Sequence, residues 1–345
     1  MGTQRGYPPT TQRGNDMNSK QATLPSAYLP QGLLPAELSQ PVADLLRAAK
    51  RPNTLRAYRS DWHAFSSWCL AHDLAALPAQ SDTVAAYVAA RQHDLASTTL
   101  QRHIASISTA HKTAGLQSPC ETELVRTTMQ GLRATSGTRV AAQGRKGKAP
   151  ALSADHMRAL LSVINADPAG LRDTALLLLG YKAALRRSEL AGLLWSDIEQ
   201  LPEGVVLTLR DSKTDSKHTG QRVGIVAEGG EYCAVQALMR WRAWAILQTG
   251  TETGAVFRSI NKHYHLGETL SAASVGAIVT QRAAEVGLVG ITAHSLRRGH
   301  LTEGHKQGKA EADLMRTSRH KSVQVFRGYL DDADLLGRAT GKGLL

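Results

Sequence analysis

Cysteine is scarce in this chain: Cys69, Cys120 and Cys233 are its 3 thiols, scattered and without a Cys-x-x-Cys pair. That spacing argues against a disulfide framework or a zinc site and suits a reducing compartment. Long apolar runs are missing too. The longest, around Leu176 to Leu179, falls far short of the roughly 18 residues of a membrane span and reads as a core segment. The N-terminus has no apolar signal-peptide core, so a cytoplasmic protein is expected. Acidic side chains are in deficit, with 29 Asp and Glu against 41 Lys and Arg and a formal net charge of +12. Such a balance favours polyanions and salt-dependent binding, although a solvated basic surface accounts for it equally well. At 345 residues the chain is long enough for two domains, each with its own core.

Residues 1–40 are rich in Gly, Pro, Thr, Gln and Ser and read as a flexible arm. From 41 to 135 the pattern is helical. Leu55, Tyr58, Trp62, Phe65 and Trp68 recur at helical spacing after Asn53, as do Val84, Tyr87 and Val88 after Ser81. Leu100, Ile104 and Ile107 repeat it after Ser97 or Thr98, and Leu124 to Leu132 forms a last segment. The aromatic stripe reads as core. Arg56, Arg59, Arg102, His103 and Lys112 read as lying on the polar faces, where cations are ordinarily just solvated. Residues 136–150 combine Gly137, Gly144, Gly147 and Pro150 with Arg139, Arg145, Lys146 and Lys148, the composition of an exposed basic linker. Residues 151–345 are mixed. Ser153 caps one helix, Leu171 to Gly180 makes a buried one, and Arg186 to Leu194 continues in helical character. Gly204 to Arg210 and Gln221 to Val226 read as a hairpin or small sheet. Helices return at Val235 to Leu247, Ala272 to Val286, His294 to Gln307 and Ala310 to Thr317. The expected fold class is mainly α with a small antiparallel β-sheet.

Chemistry concentrates late in the chain. Arg186 stands in Leu185-Arg186-Arg187-Ser188-Glu189-Leu190, and His294-Ser295-Leu296-Arg297 follows downstream. Arg319-His320 comes next, with Tyr329 at an offset of 9 from His320. A phenol, with a pKa of about 10, needs a base before it becomes a nucleophile. A phosphate gathering charge in its transition state needs preorganised cations, and a guanidinium fork matches its oxygens two at a time. Imidazole supplies the proton handling. The set fits attack of a phenol oxygen on a phosphodiester, which is the chemistry of DNA strand cutting and joining. Glu189 shares a helix face with Arg186 and would hold that guanidinium, unless the two form a plain surface ion pair. Arg298 is a further cation beside Arg297. His263 with His265, and His294 with His300 and His305, lack Cys or carboxylate companions at ligand spacing and read as surface histidines rather than metal sites.

At these boxes, and over roughly Pro41 to the end, the sequence resembles the tyrosine recombinase (phage integrase) family, most of all its Cre-type simple recombinases. Two boxes depart from the family pattern: Ala184 and Arg319 stand where glycine is usual. The resemblance implies two domains forming a C-shaped clamp around double-stranded DNA, with 41–135 as a SAM-like core-binding domain. Arg56, Arg59, Arg102, His103, Lys112, Arg145, Lys146 and Lys148 would then contact DNA. It also implies a 3′-phosphotyrosyl intermediate on Tyr329, with Arg186, Arg297 and His320 on the phosphate and His294 handling protons. A loop lysine, Lys213 in preference to Lys217, would protonate the leaving 5′-oxygen. No cofactor, ATP or metal is implied. Four protomers would act on two sites of inverted-repeat type, docking through a C-terminal segment that contains Leu335, Leu336, Leu344 and Leu345. The protein would associate with the nucleoid when DNA-bound. A type IB topoisomerase, or a DNA-binding architectural protein that has lost catalysis, are the rival readings.

Overall fold

The computed structural model describes residues 52–143, 149–210 and 220–330. Two compact units divide between Lys146 and Gly147. Arg145, Lys146, Lys148, Lys213 and Lys217 lie outside the described residues, as do the N-terminal arm and the leucines from Leu335 on.

The first unit is all helical: α1 (Pro52–Ala71), α2 (Ser81–Arg91), α3 (Ser97–Thr113), a 3-10 turn (Pro119–Glu121) and α4 (Glu123–Gln143). Trp62, Phe65, Tyr87, Leu100 and Ile107 are buried together, so the aromatic stripe is core. Two readings need correction. The segment expected as linker from Ser136 continues as helix to Gln143. The two interior glycines of α4, Gly131 and Gly137, cost a helix only about 1 kcal/mol each against alanine, and no proline interrupts residues 123–143. His103 is not on the polar face. It is 5% exposed, with Nδ1 2.8 Å from the Tyr87 hydroxyl and Nε2 3.1 Å from buried Asp61. Its place between Leu100 and Ile107 puts it on the buried stripe.

The second unit is mainly helical around a small antiparallel sheet. Its elements are α5 (Ala154–Ser162), α6 (Pro168–Lys182), α7 (Arg187–Gly192), β1 (Ile198–Leu201), β2 (Gly204–Leu209), β3 (Gln221–Val226), α8 (Ala234–Thr249), α9 (Ala272–Glu285), α10 (Ala293–Lys306), α11 (Glu311–Ser318) and α12 (Val323–Leu330). The sheet order is β1-β2-β3, with Ile198 opposite Leu207 and Leu207 opposite Val223. β1 goes beyond the hairpin read from sequence. Its 4 residues are mostly exposed, so no apolar alternation announces it. Ser153 and Asp167 cap α5 and α6 by accepting backbone N–H bonds. α6 is buried along Leu176 to Leu179 and forms the floor on which α10 lies. The contact is close: a Cβ at Gly299 would stand 2.7 Å from Cε2 of Tyr181 on α6. α12, not foreseen from sequence, is pinned by a satellite cluster of Leu301, Leu314, Phe326 and Leu330.

Candidate active site

Two left-handed turns and the helices α7, α10, α11 and α12 bring the late residues together. Chain direction reverses after α6 through Ala184, which adopts the left-handed conformation with φ 49°. Arg186 follows as the residue just before α7, not inside a helix as its sequence suggested. Glu189, in the first turn of α7, reaches back to accept the Arg186 backbone N–H at 2.8 Å. Its Oε1 accepts from Arg186 Nη1 at 2.5 Å. Glu189 is buried while the Arg186 side chain keeps 20% exposure, so the pair is no plain surface bridge. Arg187 points outward and is exposed.

Thr292 caps α10 by accepting the His294 N–H, and the helix carries His294, Arg297 and Arg298. Arg297 is 1% exposed. It donates from Nη1 to the Ala184 carbonyl at 2.7 Å and from Nη2 to the Ser318 carbonyl. Burial first, then Arg186 and Arg319, push it down to about 9, still charged at neutral pH. At the end of α11, Arg319 is the second left-handed residue, φ 59°, and the turn it makes delivers His320. Ser318 spends its hydroxyl proton on the Leu314 carbonyl at 2.6 Å, so its Oγ accepts from His320 Nδ1–H at 2.8 Å. This inferred tautomer leaves a lone pair on Nε2, 3.4 Å from Arg297 Nη2. Burial, followed by Arg297, Arg186 and Arg319, lowers His320 to about 3, so the free site holds it neutral.

Tyr329 sits on the flank of the buried Phe326–Leu330 stripe of α12. Its Oη is 3.1 Å from His294 Nε2. Burial, then Arg297, Arg298 and Arg186, depress the His294 pKa, so a neutral ring faces the phenol. Arg298 lies over the tyrosine, its guanidinium carbon 5.9 Å from the ring centroid. Among the described residues, no group of three or more His, Cys, Asp and Glu is placed to hold a metal ion, and no helix is long and apolar enough to cross a membrane. The arrangement suits a nucleophile with its base beside a preformed anion site.

Residues 150–335 match the phage integrase family, and residues 42–115 match the phage integrase N-terminal SAM-like domain. The chain belongs to the phage integrase family. This recombinase is 34% identical over 301 residues to an integrase/recombinase XerD homolog of Selenomonas ruminantium, covering 84% of each chain. It is 29% identical over 322 residues to the tyrosine recombinase XerC of Xanthomonas campestris pv. campestris, covering 86% of this chain and 88% of that one. A lambda integrase dimer bound to a COC′ core site matches with TM-score 0.54 at 19% identity, over 85% of this chain and 76% of that one. The XerH site-specific recombinase bound to palindromic difH substrate matches with TM-score 0.54 at 14% identity, over 85% and 79%. These two structures speak for the fold alone. By family, the protein is a DNA-binding, tyrosine-type site-specific recombinase related to the XerC/XerD kind.

The recombinase thus gathers Arg186, Glu189, His294, Arg297, His320 and Tyr329. In its first unit Arg56 and Arg59 are exposed, Arg56 bonding Asn53 at 3.0 Å. Lys112 pairs with Glu121 at 2.5 Å, and Arg102 is held bidentate by Asp61 at 2.7 and 2.9 Å. Sequence reasoning missed Arg298 as companion of the tyrosine and Arg319 as a buried partner of Glu189. The signal for the second was its departure from glycine.

Proposed function

We propose that Tyr329 attacks a DNA phosphodiester of a specific, inverted-repeat site, with the other named residues dividing the remaining work. The Oη–phosphorus bond forms as the bond to the 5′-oxygen breaks, and the phenol proton passes to His294 Nε2. Arg186 and Arg297 stabilise the charge gathering on the non-bridging oxygens. His320 meets one of those oxygens once the phosphate's charge has drawn a proton onto Nε2. A lysine of the β2–β3 loop, Lys213 ahead of Lys217, gives its proton to the departing 5′-oxygen. A 5′-hydroxyl of another strand then reverses the step and frees the tyrosine. Bond energy stays in the protein–DNA ester throughout. The observation that carries this reading is the 3.1 Å approach of a neutral His294 to Tyr329 beside clustered guanidinium groups.

In the same reading residues 41–135 grip the duplex as the second arm of a C-shaped clamp. Arg56, Arg59, Arg102 and Lys112 contact phosphates, with Arg145, Lys146 and Lys148 tracking the backbone between the domains. Four protomers join two sites, each docking its C-terminal segment on a neighbour. The decisive experiment incubates Tyr329→Phe with a nicked half-site whose cleaved strand diffuses away. The variant should bind as wild type and leave no denaturant-resistant adduct; an adduct that persists moves the nucleophile elsewhere. Replacing the leaving oxygen by sulfur separates the lysines. Lys213→Ala should be rescued, because a thiolate leaves without a proton, and rescue of Lys217→Ala alone transfers the role.

A further inference from the structure

The residue before His320 is the least expected one in the site. Arg319 holds φ 59°, ψ 41°, a conformation in which a side chain is strained and glycine is free. Strain of this kind persists only where surroundings over-determine it. Here the over-determination is visible: the Arg319 side chain is 2% exposed and ion-paired to Glu189 Oε2 at 2.7 Å. It also donates to the carbonyls of Ala184 at 2.9 Å, Ala183 at 3.2 Å and Thr317 at 2.6 Å. Three of these four acceptors belong to the turn and helix that present Arg186. One guanidinium therefore ties the turn of His320 to the turn of Arg186, both left-handed.

The division of the Glu189 carboxylate matters most. Oε1 takes Arg186 Nη1 at 2.5 Å, and Oε2 takes the Arg186 backbone N–H at 2.8 Å together with Arg319 Nη2 at 2.7 Å. With Arg319 removed, Oε2 would keep only the Arg186 backbone N–H, and the carboxylate could turn to engage the Arg186 fork with both oxygens, the preferred geometry of an Arg–carboxylate pair. That would draw Arg186 back from a phosphate. We propose that Arg319 is a positioning residue: it holds Glu189 and the Ala183–Ala184 turn so that Arg186 presents its guanidinium to the scissile phosphate. It touches no substrate atom itself. The inference rests on the reading of Arg186 as a phosphate clamp.

The test compares single-turnover cleavage by Arg319→Gly and Arg319→Asn, both compatible with a left-handed residue. One suicide substrate carries the natural scissile phosphate, the other a methyl group in place of a non-bridging oxygen, which removes the charge Arg186 meets. Melting temperature and DNA Kd are recorded alongside. We expect unchanged Kd and a rate loss of about 10- to 100-fold on natural DNA, the scale of a small misplacement of a catalytic group. On the neutral substrate the loss should shrink to less than about 3-fold, and Arg186→Gln with Arg319→Gly should be no slower than Arg186→Gln alone. Equal losses on both substrates, including losses that merely follow unfolding, assign Arg319 to stability and overturn the proposal. So does a double variant whose losses multiply, or an Arg319→Gly enzyme at wild-type rate while Arg186→Gln is slow. An Arg186→Gln enzyme at wild-type rate overturns the clamp reading itself, which is a separate outcome.

Discussion

Among the described residues of the second unit, two arginine clusters are built to opposite ends. In one, buried Asp173 takes Arg172 on Oδ1 at 2.7 and 2.9 Å and Arg282 on Oδ2 at 2.7 and 3.0 Å. Arg282 also reaches Glu285 at 3.0 Å, so two cations meet two anions. Burial alone would lower Arg282, but its bonds to Asp173 and Glu285 carry its pKa above the ordinary guanidinium value. In the other cluster Arg186 and Arg319 share the carboxylate of Glu189, while Arg297 feels its charge and is bonded to the Ala184 and Ser318 carbonyls. There burial and like charge pull Arg297 and Arg319 down. A closed account of charge marks a structural joint. A surplus of cations, held in place by backbone carbonyls, is what the proposed phosphate clamp requires.

The contrast can be broken by one substitution in each cluster. Asp173→Asn leaves buried Arg172 and half-buried Arg282 without their shared anion and should cost about 3–5 kcal/mol of unfolding free energy. Its single-turnover cleavage rate should match wild type where both proteins remain folded. Arg297→Lys keeps the charge but loses the fork, and should slow cleavage by about 10²–10³-fold, or about 2.7–4 kcal/mol. Urea titration and suicide-substrate kinetics on both variants decide. A slow Asp173→Asn, or a fast Arg297→Lys, would dissolve the distinction.

A smaller effect sharpens it. A cluster already rich in cations resists another, and burial adds to this: His320 is held near 3 and His300 near 4, in both cases by burial first. Both folded values lie below the unfolded value of about 6.5, so the unfolded chain binds more protons in between. Stability is therefore complete above about pH 6.5 and is lost as pH falls toward 4, by up to about 1.4 kcal/mol per unit for each histidine. Urea midpoints at about pH 7, 6 and 5 measure this. His300→Gln should flatten the slope, and an unchanged slope would remove His300 from the account.

Much of this site was legible in the residues. Boxes ending in Arg186, Arg297, His320 and Tyr329 point to one chemistry because few reactions need those groups together. Helices with strong stripes were legible too, within a few residues at their ends. What escaped had a local reason in each case. Arg186 stands before its helix, because a left-handed Ala184 breaks a run that composition alone would continue. β1 is short and exposed, and α12 is 8 residues long. His103 reads as polar by type, but its register buries it. Arg319 shows in the sequence only as a departure from the usual glycine, and only tertiary structure joins it to a carboxylate 130 residues away.

The tyrosine is fastened to a small core of its own. Leu301, Leu314, Phe326 and Leu330 form a cluster separate from the one that buries α6. A handful of apolar side chains secures an opening free energy well below that of the whole domain. Tyr329 should therefore detach while the arginine turns stay folded, and hydrogen exchange should register it: the amides of α12 should exchange by local opening, ahead of those of α6. Simultaneous exchange of both helices would mean that the tyrosine leaves only when the domain unfolds.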